Sequence, residues 1–257
     1  EQFKYIETWT KSGETHSGDF ESASQSDCEA IAKSLAGFDV PGSETKTPLP
    51  ENIRLSQVIG LEKMVLDAVK ENWSQEFKSK DLLHFPIGIC SKRDQLDLSM
   101  INLLPAERGG EDAYHTILIG TTGSGKSEFM KSLVMDAALR YPPSQLNFFF
   151  MDFKGGAAFS VFDELPHVSG IVTNLSPELV ERGLDSVENE IGRRQGEFSR
   201  AKVQNIWTYN QLNIKRPLPH MVLLLDEFAR GLAEFPRLRD TLDVLTRQGR
   251  SLGMYLI

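Results

Sequence analysis

Gly120-Thr121-Thr122-Gly123-Ser124-Gly125-Lys126-Ser127 is the stretch on which the fold turns. Its pattern is G-x-x-x-x-G-K-S. Phosphates held by backbone N–H groups in one concave turn need glycine, because only glycine lets the backbone come that close. Lys126 is placed to reach the β- and γ-phosphates, and the Ser127 hydroxyl to bind Mg²⁺. A helix must open at the loop so that its N-terminal dipole faces the anion. His115 to Ile119 is a short apolar run that predicts a strand ending at the loop. Phe129, Met130, Leu133, Val134, Ala137 and Ala138 then recur at helical spacing. Strand, glycine loop and helix together predict a site for nucleotide phosphates with Mg²⁺.

Further along, Leu146 to Met151 and Met221 to Leu225 are continuous apolar runs, as strands buried on both faces require. The second ends at Asp226-Glu227, a Walker B-type pair. An acid at the carboxyl end of a central strand sits beside the nucleotide. Asp226 is expected to position Mg²⁺, mostly through its water shell. Glu227 is expected to polarise the attacking water as general base. Between the two motifs lie two predicted strands, the run before Asp152-Phe153-Lys154-Gly155-Gly156 and Gly170 to Thr173. That order suits P-loop ATPases with an additional strand between the Walker strands. Helices are predicted over Pro177 to about Arg200, Ile206 to Leu212 and Phe235 to Gln248, with a last strand from Met254. The fold class is therefore α/β, RecA-like, with a mostly parallel sheet flanked by helices. Arg182, Arg193, Arg194 and Arg250 are candidates for an arginine finger, each against the plainer alternative of a solvated surface residue. Lys154 and its two glycines could touch a ligand or a neighbouring domain, or form an ordinary turn. His167, Trp207 and Tyr209 are expected to pack structurally.

The first fifty residues hold nine acids against four lysines, which carries most of the net charge of −8. An acidic balance argues against a surface built for permanent nucleic-acid binding, although a basic pore lining can coexist with it. Cys28 and Cys90 fall in no metal or disulfide pattern. No apolar run approaches the roughly 18 residues of a membrane-spanning helix. Glu1 to Phe20 predicts a strand or hairpin, and Cys28 to Ala36 a helix closed by Gly37. Pro41, Gly42, Pro48 and Pro50 mark a linker. A helix from Glu62 to Trp73 and strands at Leu83 to Ile89 (interrupted by Pro86) and Gln95 to Leu104 complete the series.

Eight short motifs in order resemble an FtsK/SpoIIIE-type ATPase domain: the loop through Glu128, Asp152 to Gly156, Leu165-Pro166-His167, Val172 to Leu175, Arg193-Arg194-Gln195, Tyr209-Asn210, Leu223 to Ala229 and Gly249 to Gly253. Within that group they look closest to the EssC/EccC ATPases of type VII secretion. DNA-pumping members usually carry Asp-Pro-Lys where this chain has Asp152-Phe153-Lys154. Glu128 and the Gly155-Gly156 pair also fit the secretion branch better, and Glu128 joins residues 120–127 in the expected nucleotide-binding set. By this resemblance, residues 1–40 are the tail of a preceding, degenerate ATPase-like domain and residues 41–60 a linker. Residues 61–257 are then the first true ATPase domain, ending before a Ser/Thr-Gln sensor and so truncated at its C-terminal end.

The resemblance implies a hexamer-forming motor on the cytoplasmic face of the cell membrane, with its anchor outside this stretch. It would work with further ATPase domains, neighbouring subunits and secretion-system membrane components. Its cargo would be small helical proteins of the WXG type. Arg182 falls where the family's proposed finger, acting in trans, lies. The alternatives are a double-stranded DNA translocase and a module that binds ATP without turning it over.

Overall fold

Two seven-residue runs, Leu146–Asp152 and His220–Asp226, pair in parallel at the centre of the molecule. Leu146, Phe148, Phe150, Val222 and Leu224 are wholly excluded from solvent. The computed structural model describes residues 3–7, 16–20, 66–74, 84–92, 95–102, 115–121, 123–155, 158–173, 176–213 and 216–257. In order, the elements are β1 (Phe3–Glu7), β2 (His16–Phe20), α1 (Leu66–Ser74), β3 (His84–Lys92), β4 (Gln95–Asn102), α2 (Lys126–Arg140), β5 (Leu146–Asp152), β6 (Val168–Thr173), α3 (Pro177–Ala201), α4 (Ile206–Leu212), β7 (His220–Asp226), α5 (Phe228–Glu234), α6 (Pro236–Leu252) and β8 (Met254–Leu256).

The chain divides into two units, Glu1–Thr47 and Pro48–Ile257. In the first, β1 and β2 form an antiparallel hairpin, Phe3 opposite Phe20. The predicted helix over Cys28 to Ala36 lies outside the described residues. In the second unit β3 and β4 form a separate antiparallel pair. The register shifts between Pro86 and Gly88, where proline has no N–H to give. The strand runs on to Lys92 instead of breaking there.

The main sheet is wholly parallel, in the order β6-β5-β7-β8. Residues 115–119, predicted as a strand, are not one. Thr116 N–H donates to Leu256 O at 2.8 Å, but the Leu256 N–H is taken by the His115 ring Nδ1 at 3.1 Å. A side chain thus stands where the next backbone acceptor of the ladder belongs. Ile117 and Ile119 are exposed rather than buried. The segment still lies alongside β8, so β8 separates it from β7. This is the additional-strand arrangement that the motif order predicted.

Right-handed crossovers place α2 on one face of this sheet and α3 to α6 on the other. On the first face, Trp73 of α1 donates to Ala138 O of α2 at 3.0 Å and packs edge-on against His167. His167 in turn donates through Nε2 to Tyr141 O at 2.7 Å, a structural role as expected. On the second face, Arg237 of α6 reaches Glu181, Asp185 and Glu188 of α3.

Helix α3 starts at the Ser176 cap, whose hydroxyl accepts from Leu179 N–H, with Pro177 in the first turn. Its buried stripe is Val180, Leu184, Val187, Ile191, Arg194 and Phe198. The one cation in that stripe is fully enclosed. Arg194 donates to Glu190 at 2.6 Å, to Leu252 O at 2.7 Å and to Pro219 O at 2.7 Å. It ties the end of α6 and the entry of β7 to α3, which removes it from the arginine-finger candidates. Arg193 is held by two bonds to Glu190. The sequence predicted one helix from Phe235, whereas the structure has α5 as well. Gly231 in the middle of α5, a poor helix former, hid it.

His220 stacks between Trp207 and Tyr255 and hydrogen-bonds the Tyr255 hydroxyl at 3.1 Å. Complete burial, with the Arg194 charge adding to it, pushes its pKa down to about 3. Burial also lowers that of His167. An unfolded imidazole takes up its proton near pH ~6.5. Between about 3 and ~6.5 the unfolded His220 binds a proton that the folded one does not, so stability falls as pH falls, by up to ~1.4 kcal/mol per pH unit. Replacing His220 by Phe should flatten that slope by about one proton's worth between roughly pH 6 and pH 4, measured by urea unfolding at a series of pH values.

Candidate functional site

Parallel pairing sets the site, because it brings the carboxyl ends of β5 and β7 level. Asp152 lies directly beside Asp226. In this position Asp226 is buried and its carboxylate is fully engaged. One oxygen accepts from the Ser127 hydroxyl at 2.8 Å and the other from the Glu227 N–H at 3.0 Å. Ser127 and Asp226, far apart in sequence, thus converge as foreseen.

The loop itself has the shape that an anion requires. Gly123 and Gly125 have φ of 80° and 91°, a region that side chains disfavour. Ser124 N–H donates to Thr121 O at 3.2 Å, which closes the turn. Thr122 lies outside the described residues. Helix α2 opens at Lys126 with Gly125 as its cap, so the unpaired N–H groups of its first turn face the loop. The Lys126 ammonium donates to Gly120 O at 2.7 Å and Thr121 O at 3.0 Å. These are neutral acceptors, and a phosphate oxygen is the stronger partner for that cation. Glu128 does not join the cluster. Its side chain is 77% exposed and pairs with Lys131 at 2.7 Å.

Glu227 follows Asp226 in the left-handed region, φ 54° and ψ 40°, and caps α5. A non-glycine residue there costs about 1 kcal/mol and persists only where its surroundings impose it. The conformation leaves the Glu227 side chain exposed at the mouth of a cavity of about 360 Å³. Lys126, Asp226 and Glu227 are among its polar groups, with His115, Thr116 and Thr246; Ile117, Met130 and Phe228 are among its apolar walls. A hydroxyl and a carboxylate 2.8 Å apart are hard oxygen donors of the kind Mg²⁺ takes while keeping several waters. The donor set therefore fits a magnesium-bound nucleotide. Among the described residues no cluster of three His, Cys, Asp or Glu could hold a metal otherwise.

Arg182 is exposed on the second turn of α3 and makes no ion pair among the described residues. Its helix follows β6, the strand at the far edge of the sheet from the loop. Four strand spacings, roughly 19 Å, separate that edge from residues 115–119. The Asp152 turn is closed on itself. The carboxylate of Asp152 accepts from Lys154 N–H at 2.8 Å and Ala158 N–H at 3.2 Å. One contact that sequence reasoning did not foresee stands next to this site. Phe153 is buried against Gly231, and the only hint in the sequence was an aromatic after the strand-end acid with a glycine inside the next helix.

The profile of the FtsK/SpoIIIE family matches residues 96–257. The chain belongs to the FtsK/SpoIIIE family. Within it, the chain is 32% identical over 235 residues to the type VII secretion system protein EssC of Staphylococcus aureus (strain NCTC 8325 / PS 47), which covers 90% of this chain. It is 33% identical over 215 residues, 81% of its length, to the ESX secretion system protein EccC of Geobacillus thermodenitrificans (strain NG80-2). The chain spans only 15% and 14% of those relatives. The structure resembles the cytoplasmic domain of the Thermomonospora curvata type VII secretion ATPase EccC, with a TM-score of 0.73 and 31% identity. That likeness covers 80% of this chain and 24% of the other. This FtsK/SpoIIIE domain is thus homologous to the EssC/EccC ATPases, a family of P-loop ATPases that bind nucleotide with a divalent metal.

Truncating Lys126 to Ala should abolish detectable ATP binding, since the phosphates lose their cation and the loop its tether. Calorimetry checks this, and an unchanged affinity would remove the loop from the site.

Proposed function

We propose that this chain is an ATP-hydrolysing motor domain of a membrane-anchored type VII protein-secretion ATPase that drives export of small helical proteins. The observation that carries the hydrolytic part is the Ser127–Asp226 hydrogen bond with Glu227 beside it at the open mouth of the cavity. Lys126, Ser127, the backbone of residues 120–125 and the first turn of α2 hold the phosphates. Ser127 and Asp226 would hold Mg²⁺, which when bound would offset phosphate charge in the reaction. Glu227 accepts a proton from the water that attacks the γ-phosphorus. The bond to the β–γ bridging oxygen breaks, and ADP leaves with its electron pair while Lys126 offsets the developing charge.

The position of Arg182 at the far edge supports a role in trans. Its side chain is exposed and makes no ion pair among the described residues. It can serve a neighbouring domain or subunit in a ring. Similarity to EssC and EccC supports protein as the cargo, and the net charge of −8 gives no footing for a permanent nucleic-acid surface.

Glu227→Gln in the full-length protein should leave ATP affinity within about threefold and lower turnover by roughly a hundredfold or more. Equal turnover in that variant would leave only a nucleotide-binding module. Adding duplex DNA should not stimulate the wild-type protein. DNA-stimulated turnover, with binding that weakens steeply in salt, would make it a DNA translocase instead. Arg182→Ala protein should lose turnover alone but recover part of it in mixed assemblies with Lys126→Ala protein. Each variant then supplies the group that the other lacks, and activity that never recovers on mixing argues against a role in trans.

A further inference from the structure

We infer that Phe153 is a positioning residue for Glu227, acting through Gly231 and α5. The inference rests on the hydrolytic role of Glu227 proposed above. Glu227 occupies a backbone conformation that it would not adopt by itself, so the segments on both sides must hold it there. On the N-terminal side the ladder of β7 fixes Asp226. On the C-terminal side only a short helix follows, and its first bonds, Arg230 N–H to Glu227 O at 2.9 Å and Gly231 N–H to the same oxygen at 3.4 Å, are its own. Something outside α5 has to set its height above the sheet.

Phe153 does this from both ends of the Asp226–Glu227 step. Its N–H donates to Asp226 O at 3.2 Å, prolonging the β5–β7 ladder by one rung. Its ring, 1% exposed, lies flat beneath Gly231. A Cβ at Gly231 would come within 2.6 to 2.7 Å of three ring carbons. Phe235, at the C-terminal cap of α5, also packs against the ring, with centroids 5.9 Å apart and the planes tilted by 37°. Phe153 cannot withdraw, because Asp152 pins the turn behind it through Lys154 and Ala158. The Phe153 ring is thus one of the supports of α5, at Gly231, and Glu227 caps the start of that helix. A thinner side chain at 153 lets α5 settle towards the sheet, and a methyl at 231 lifts it. Either moves the Glu227 carboxylate relative to Lys126 and Ser127 without touching the phosphate loop.

The test is a set of variants in the full-length protein, with ATP affinity by calorimetry and turnover measured separately. Phe153→Leu and Gly231→Ala should each lower kcat by about tenfold to a hundredfold, the cost of a displacement near 1 Å, while ATP affinity stays within about threefold. Phe153→Met, which keeps most of the volume, should lose less. Combining Phe153→Leu with Gly231→Ala should restore turnover above either single variant. In a Glu227→Gln background Phe153→Leu should cause no further loss. A purely structural role would lower affinity and kcat together, and its effect would add to that of Glu227→Gln; either result overturns the inference. Loss in Glu227→Gln with full turnover in Phe153→Leu overturns the inference alone. Full turnover in Glu227→Gln removes the hydrolytic role of Glu227 and the inference with it.

Discussion

The parallel pairing of β5 with β7 is the contact on which the rest depends. Each strand is apolar on both faces, so each must be covered by helices on both sides, and each strand needs a neighbour for its backbone groups. Burying one Leu or Phe side chain contributes about 1.5–3 kcal/mol. Leu146, Phe148, Phe150, Val222 and Leu224 are fully buried, so this pair outweighs any single polar contact in the domain. A slip of one residue along the pair would separate Asp152 from Asp226 and carry the whole carboxyl edge out of line. The precision of the polar site is thus inherited from an apolar ladder.

Polar groups at the two ends of the sheet do different work. At the carboxyl end, Asp226 is anchored by Ser127 while Glu227 stays exposed, so one acid is fixed by a hydrogen bond and its neighbour faces solvent. At the amino end, Arg194 and His220 are sealed in. Arg194 satisfies carbonyls at the close of α6 and the start of β7 that would otherwise be buried without partners. That end holds three chain segments together.

Much of this was legible beforehand. Periods of apolar residues gave α3 and α4 nearly to the residue, because caps at Ser176 and Asn205 coincide with the start of each pattern. The two Walker-type motifs gave the site, because their chemistry is local to a few residues. Strand status at 115–119 was not legible. It turns on the His115 ring accepting the Leu256 N–H, a contact across most of the chain. The burial of Arg194 was hidden for the same reason, since its acceptors are backbone oxygens that no residue type announces. Helix α5 escaped because its glycine is there for the ring of Phe153, and a packing need cannot be seen in a propensity.

The bond from Thr116 to Leu256 has a consequence for how such a domain is made. During synthesis the phosphate loop emerges long before β8, the strand that it lies beside. Ser127 likewise waits for Asp226, 99 residues later. Until both arrive, the nascent loop has neither its supporting strand nor its hydrogen bond to Asp226, and closing such distant contacts is slow. ATP therefore has nothing complete to bind on a half-made chain. Nucleotide then stabilises only a chain in which these distant contacts have closed, by mass action, and acts as a late check that they have formed.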